Sequence, residues 1–222
     1  MTAGGPRTYV YVDGFNLYYG ALRGRAGTRW LDLPALSQRL LPNNAIARIV
    51  YCTALVKDRP GKPDQLAHQR LYLAALATLP NFELHKGAYL EKKVRRPLVA
   101  GQDGSTPEWP RVAYFHDSEE KGSDVNLATR LLVDGYNGHY EAAAVISNDG
   151  DLKMPLEVVR RDLGLPVTVI NPHPRRSTAL SPNPLPENAK YVRLRPADAR
   201  ACQFPNTVTT RAGRTITKPA NW

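Results

Sequence analysis

An α/β fold built on a mainly parallel sheet is the architecture that three features of this 222-residue sequence predict. Short β-branched and aromatic runs alternate with helical patterns along most of the chain, which is the order a parallel sheet with crossover helices requires. Several of those runs are continuously apolar, as strands covered on both faces are. The 42% hydrophobic content is enough for one core at this length and does not call for two large domains.

The elements follow in order. After a flexible start over residues 1–7, Thr8–Val12 is β-branched and aromatic and stops at Asp13-Gly14, so it reads as a buried strand feeding a turn. A helical pattern covers about Phe15 to Leu22, and a second is marked by Leu33, Leu36 and Leu40. The run Ala47–Val56 is the next strand. Gln65 to Leu79 is a long helix that Pro80 ends, Phe82–Tyr89 a third strand and Val112–His116 a further one. Between these two, Glu91–Arg96 and Gly101–Ser105 read as an exposed basic loop. Ser123 to Gly135 carries a broad apolar helical face with Ser123 as N-cap and Asp124 in its first turn. Ala142–Ile146 is a strand, Leu152–Asp162 a helix and Pro166–Ile170 a strand. Eight of the 19 prolines lie beyond Asn171, so residues 172–190 read as a proline-rich linker. Residues 191–222 then hold a last strand and a basic tail, for which Val192, Leu194, Phe204, Val208, Ile216 and Trp222 are apolar anchors against the domain.

Composition narrows the function. Thirty Lys and Arg against 20 acids give a formal charge of +10, a balance suited to a polyanionic partner, nucleic acid first. No run reaches the roughly 18 apolar residues a membrane span requires, and the N-terminus lacks the apolar centre of a secretion signal. Cys52 and Cys202 can supply neither a disulfide framework nor a four-cysteine zinc site, so a cytoplasmic protein without a membrane partner is expected. There is no Walker loop, Gly-x-Ser-x-Gly elbow or His-Glu-x-x-His helix.

The chemistry-bearing residues are acids. Asp13 follows the first strand, Asp124 opens a helix, and Asp149 and Asp151 follow the Ala142–Ile146 strand, where an α/β sheet puts its site. Singly, each has an ordinary explanation as helix cap, dipole partner or turn residue. Jointly, and with Asn16 three residues after Asp13, they suggest carboxylates sharing a hard cation. Oxygen-only ligands select magnesium or manganese over zinc.

Three segments carry a resemblance: Val12-Asp13-Gly14-Phe15-Asn16-Leu17, Glu120-Lys121-Gly122-Ser123-Asp124-Val125-Asn126-Leu127-Ala128, and Ile146-Ser147-Asn148-Asp149-Gly150-Asp151-Leu152. Their order and spacing resemble the signature motifs of the NYN domain family, the LabA-like members of the PIN-like nuclease superfamily, over about Tyr9 to Asn171. The resemblance implies a Rossmann-like α/β/α sandwich over residues 8–171. It also implies an Mg2+- or Mn2+-dependent endoribonuclease leaving 3′-hydroxyl and 5′-phosphate ends. By position, Asp13, Asp124 and Asp149 match the metal-binding acids, Asp151 the fourth carboxylate, and Asn16 the residue that positions substrate or water. Gly150 departs from the family's common serine. Whether Asp151 meets metal directly stays open.

Lys121 and Ser147 are candidates to contact the scissile phosphate. Lys92, Lys93, Arg95 and Arg96 form one basic cluster and Arg175 and Arg176 another, a track for the backbone of single-stranded or structured RNA, with DNA as a second candidate substrate. From Lys190 onward there are seven bases and one acid. Two other classes compete: a regulatory RNA-binding NYN protein without significant turnover, which the intact acids disfavour, and a haloacid-dehalogenase-type phosphatase built on Asp149-Gly150-Asp151. The latter would carry threonine or valine where Lys153 stands and would place the motif near the start of its domain.

Overall fold

The structure, a computed structural model, describes residues 4–57, 64–98, 112–210 and 212–222, without the side chains of Glu91, His116 and Ser118. Its elements run β1 (Arg7–Asp13), α1 (Gly14–Leu17, continuing as a π-helical turn over Tyr18–Leu22), α2 (Leu33–Leu40), β2 (Ala45–Thr53), α3 (Gln65–Leu76), β3 (Phe82–Lys86), β4 (Ala88–Pro97) and β5 (Val112–Lys121). Then come α4 (Ser123–Tyr136), β6 (Ala142–Ile146), a 3-10 turn (Gly150–Leu152), α5 (Lys153–Arg161), β7 (Val167–Asn171), β8 (Ala189–Arg193), α6 (Pro196–Ala201), β9 (Thr207–Thr209) and β10 (Thr215–Thr217). Among the described residues no helix is long and apolar enough to cross a membrane.

Six strands form one sheet in the order β3-β2-β1-β6-β7-β8, and every neighbouring pair is parallel. The chain winds outward one way through β1, β2 and β3, then returns to the other side of β1 with β6. That reversal makes a topological switch point at the carboxyl ends of β1 and β6, the position where doubly wound sheets bind ligands. Side-chain alternation sends the two faces into separate apolar layers. Val10, Val12, Ile49, Ala144, Ile146 and Ile170 pack with α1, α2, α3 and the C-terminal segment. Tyr11, Val50, Cys52, Val145, Val167 and Val169 pack with Leu127 and Leu131 of α4 and Leu156 and Val159 of α5. Both cysteines are free and buried, and burial, with Asp13 nearby, pushes the Cys52 thiol up to about 12.

α4 is fixed against the sheet by one buried acid. Asp134 has no exposed surface and accepts from the Tyr11 hydroxyl at 2.9 Å, Arg130 at 3.0 Å and His139 Nδ1 at 3.1 Å. A fully buried carboxylate needs such partners. By tying α4 to β1 ten residues past Asp124, it sets where the N-terminus of α4 meets the carboxyl edge.

Four local expectations are corrected. Arg7, expected in a flexible start, opens β1, and its backbone N–H donates to Glu141 Oε2 at 2.7 Å. Glu91–Arg96 is not a loop: it lies in β4, which pairs antiparallel with β5 from Ala88↔Lys121 to Pro97↔Val112. Strand pairing supplies the backbone hydrogen bonds, so no apolar alternation was needed. The expected loop residues Gly101–Ser105 lie outside the described residues. The N-cap of α4 is Gly122 at φ 94°, a left-handed conformation that favours glycine, and not Ser123. Residues 172–188, expected as a linker, form a packed crossover between β7 and the added edge strand β8, with Leu180 and Ser181 buried. The C-terminal Trp222 ring lies 5.9 Å from Trp30, 6.2 Å from Tyr72 and 5.6 Å from His68, so the tail's end lies on the α3 side of the sheet.

Candidate active site

β1 ends at Asp13 because its apolar run reaches the carboxyl edge there and the chain turns into α1. Asp13 is nearly fully buried and N-caps that helix, with Oδ1 accepting from the Asn16 N–H at 2.8 Å. Oδ2 accepts from Ser147 Oγ at 3.0 Å, and that same hydroxyl oxygen accepts from the Asp149 N–H at 3.1 Å. Asn16 makes a second link, its Oδ1 accepting from the Asn148 N–H at 2.9 Å. The ends of β1 and β6 are therefore laced across the switch point by two polar side chains. Asp149 caps the 3-10 turn, accepting from the Asp151 N–H at 3.1 Å. Asp124 comes in from the first turn of α4.

The acids feel one another. Burial raises the Asp13 carboxyl to about 6; the hydrogen bonds from Asn16 and Ser147 oppose this, and the charges of Asp124 and Asp149 add to it. Asp124 is raised by burial and then by Asp149, Glu120 and Asp151. Glu120, missed in the sequence reading, thus belongs to the same electrostatic group; its Oε1 accepts from the Ser123 N–H at 3.0 Å. Among the described residues no three His, Cys, Asp or Glu side chains form a ready-made ligand cage. The oxygen-only donor set nonetheless fits magnesium, which binds through one or two carboxylates and keeps several waters.

The other expected site residues divide. Ser147 has no exposed surface, so its hydroxyl laces Asp13 to Asp149 and is not free to meet a substrate. Lys121 pairs with Glu119 at 2.6 Å, Lys92 with Glu119 at 3.0 Å and Arg96 with Asp117 at 2.9 Å. Lys93 and Arg95 are exposed and have no such partner among the described residues. Arg176 donates to the Ser181 and Pro182 carbonyls at 2.7 and 3.0 Å and lies over the Tyr191 ring, a structural role. The Arg175 carbonyl accepts from Asn148 Nδ2 at 3.2 Å and Asn171 Nδ2 at 2.9 Å, which holds the post-β7 segment to the loop bearing Asp149. Asn148 and Asn171 were illegible as site supports, since loop asparagines carry no periodic signal.

Gly14 is a close-approach glycine: a Cβ there would sit 2.7 Å from the buried Tyr51 ring. Gly14→Ala is expected to cost about 1–3 kcal/mol through this overlap. It should also lower activity by displacing Asp13. Denaturant titration read beside an activity assay checks both.

A doubly wound parallel sheet with coupled carboxylates at its switch point defines the class, an α/β/α protein of the PIN-like type. The NYN domain model matches residues 7–183, and the chain belongs to the NYN domain family, within the PIN-like nuclease superfamily, whose members generally use divalent metals. A curated relative, 6-hydroxy-3-succinoylpyridine 3-monooxygenase HspA of Pseudomonas putida, is 27% identical over 97% of this chain and 75% of its own length. A solved protein of unknown function from Vibrio parahaemolyticus superposes with a TM-score of 0.48 at 15% identity, covering 87% of this chain and 96% of the other.

Proposed function

We propose that the chain is a magnesium- or manganese-dependent endoribonuclease with Asp13, Asn16, Asp124, Asp149 and Asp151 at its reaction centre. One observation carries this reading: at the switch point the Ser147 hydroxyl joins the Asp13 carboxylate at the end of β1 to the backbone of Asp149 after β6, with Asp124 entering from the first turn of α4. Asp13, Asp124 and Asp149 are the residues that would hold the cation, with Asp151 beside them. When bound, such an ion supplies Lewis acidity toward a phosphodiester and lowers the pKa of a coordinated water.

The chain's own residues supply alignment. Ser147 keeps Asp13 and Asp149 in fixed relation by donating to one and accepting from the backbone of the other. The bond from the Asn148 N–H commits Asn16 Oδ1 as an acceptor, which assigns the amide orientation. Asn16 Nδ2 then has no partner among the described residues and is available to donate to a phosphate oxygen or to the attacking water. Asn16→Ala is expected to lower the cleavage rate by about 10- to 100-fold, the scale of a misaligned reacting group. Asn16→Asp keeps the acceptor, removes the donor and should rescue little; single-turnover rates on one RNA compare the two.

The test of the reading is incubation of the protein with total cellular RNA and manganese or magnesium, followed by mapping of fragment ends. Metal-dependent internal cuts that a chelator abolishes support it, and intact RNA refutes it. The near-full-length match to a monooxygenase-named relative favours a second reading, turnover of a hydroxypyridine of that kind. Incubation with 6-hydroxy-3-succinoylpyridine, a two-electron reductant and O2 is the parallel arm. Consumption of that compound with RNA left intact would replace the nuclease reading.

A further inference from the structure

β4 and β5 form a two-stranded arm apart from the main sheet. It leaves from the carboxyl end of β3, where the Gly87 N–H donates to the Thr53 carbonyl at 2.8 Å, and returns through Lys121 and Gly122 into α4, two residues before Asp124. The arm is thus rooted at the edge of the sheet that bears the acids. Directly opposed residues of an antiparallel pair share a face, so its register sorts its cations into two sets.

One face carries Lys92, Arg96 and Lys121, and all three are engaged by Glu119 or Asp117. The other face carries Tyr89, Lys93 and Arg95, with Tyr114 directly opposite Arg95. Tyr89, at the root, meets the ring of Phe15 edge-on at 5.9 Å, and Phe15 lies two residues past Asp13. Farther out, Lys93 and Arg95 are exposed without an acidic partner among the described residues, and Tyr114 is 75% exposed. From Tyr89 to Arg95 is about 20 Å at strand rise.

We propose that this second face guides a single-stranded flank of an RNA substrate away from the acid cluster, with Lys93 and Arg95 on phosphates and Tyr114 stacked on a base. This rests on the nuclease reading above. Exposed cations without an acidic partner among the described residues, beside an exposed ring and leading out from Phe15 and Asp13, form the combination that single strands bind: charge for the backbone and a flat π-surface for an unpaired base. A duplex keeps its bases stacked inside and cannot use the ring. A count of charges alone would not select this face, because the opposite face carries three cations to its two but pairs all three with Glu119 or Asp117.

The experiment measures binding of an Asp149→Asn background to an unstructured oligouridine and to an RNA duplex of equal length, with magnesium, across a salt series. Lys93→Ala/Arg95→Ala and Lys92→Ala/Arg96→Ala remove the same net charge. The first pair is expected to flatten the log–log salt slope for the single strand by about 1.4, at about 0.7 per lost phosphate contact. The second should change it by less than half as much. Tyr114→Ala should weaken single-strand binding by about 5- to 150-fold, and duplex binding by less than about twofold. Equal slopes for the two double variants, or equal effects of Tyr114→Ala on both RNAs, overturn the proposal. So does a change in native mass for Tyr114→Ala with RNA binding intact, which would make the arm a contact between copies. If the wild type cuts RNA but these differences are absent, the arm assignment alone fails. If the differences hold but the wild type cuts nothing, the arm is an RNA contact and the nuclease reading fails. Melting curves of each variant confirm that the fold is kept.

Discussion

Asp149→Asn and Asp13→Asn are each expected to lower metal-dependent RNA cleavage by about 10³-fold or more, the scale seen when one member of a preorganised charged centre is removed. The reason lies in how the acids are held. Asp13 is buried with both oxygens hydrogen-bonded, and Asp149 is linked to it through Ser147 Oγ. Neutralising either one removes a charge from a group whose members act together, so the double variant should lie within about tenfold of the worse single. Asp162→Asn, at an exposed acid just past the end of α5, is the control and should cut like the wild type. Single-turnover rates on one labelled RNA, with excess manganese, measure all four. Retention of more than about a tenth of wild-type rate by either single variant would remove that acid from the centre.

What was legible in the sequence follows from which signals burial writes. The strand before Asp13 and the strand before Ser147 are apolar because both faces of a parallel sheet are covered, so Thr8–Val12 and Ala142–Ile146 announced themselves together with the acids that follow. The family resemblance implied the α/β/α sandwich, but the strand order, and with it the switch point between β1 and β6, has no counterpart in periodicity and is seen only in the fold. The arm was illegible for the opposite reason. Glu91–Arg96 alternates nothing apolar, and Lys92, Lys93, Arg95 and Arg96 are exposed, so the run read as a loop although ten residue pairs join β4 to β5. Ser123 looked like a cap because serine commonly is one, but the reversal from the arm into α4 requires the left-handed Gly122 immediately before it. The lacing by Asn16, Ser147 and Asn148 joins residues more than 130 positions apart, and polar contacts at that range leave no pattern along the chain.

In chelator, the stability of the protein is expected to carry a component that falls as pH rises from about 4 to 6.5. The group responsible is Asp13, whose carboxyl burial raises to about 6 in the folded state. Its unfolded value is near 3.9, so the folded state binds the extra proton between the two values. This contribution is whole below about pH 4 and is lost as pH rises through about 6, a difference of roughly 3 kcal/mol. Other acids slope the opposite way: Glu83 is lowered by His85, Arg130 and Arg48 despite some burial, and its contribution is present above the unfolded pKa. The measurement is therefore a difference, wild type against Asp13→Asn, in denaturant titrations at several pH values. The wild-type curve should fall relative to the variant by roughly 3 kcal/mol across that window. Magnesium or manganese at a hundredfold excess over its dissociation constant should restore about 2.7 kcal/mol at pH 7.5. It should restore much less at pH 5, where a proton holds the carboxyl that the cation would need. Parallel pH curves for wild type and Asp13→Asn would mean that burial does not perturb this acid. A metal effect equal at pH 5 and 7.5 would mean that the cation binds elsewhere.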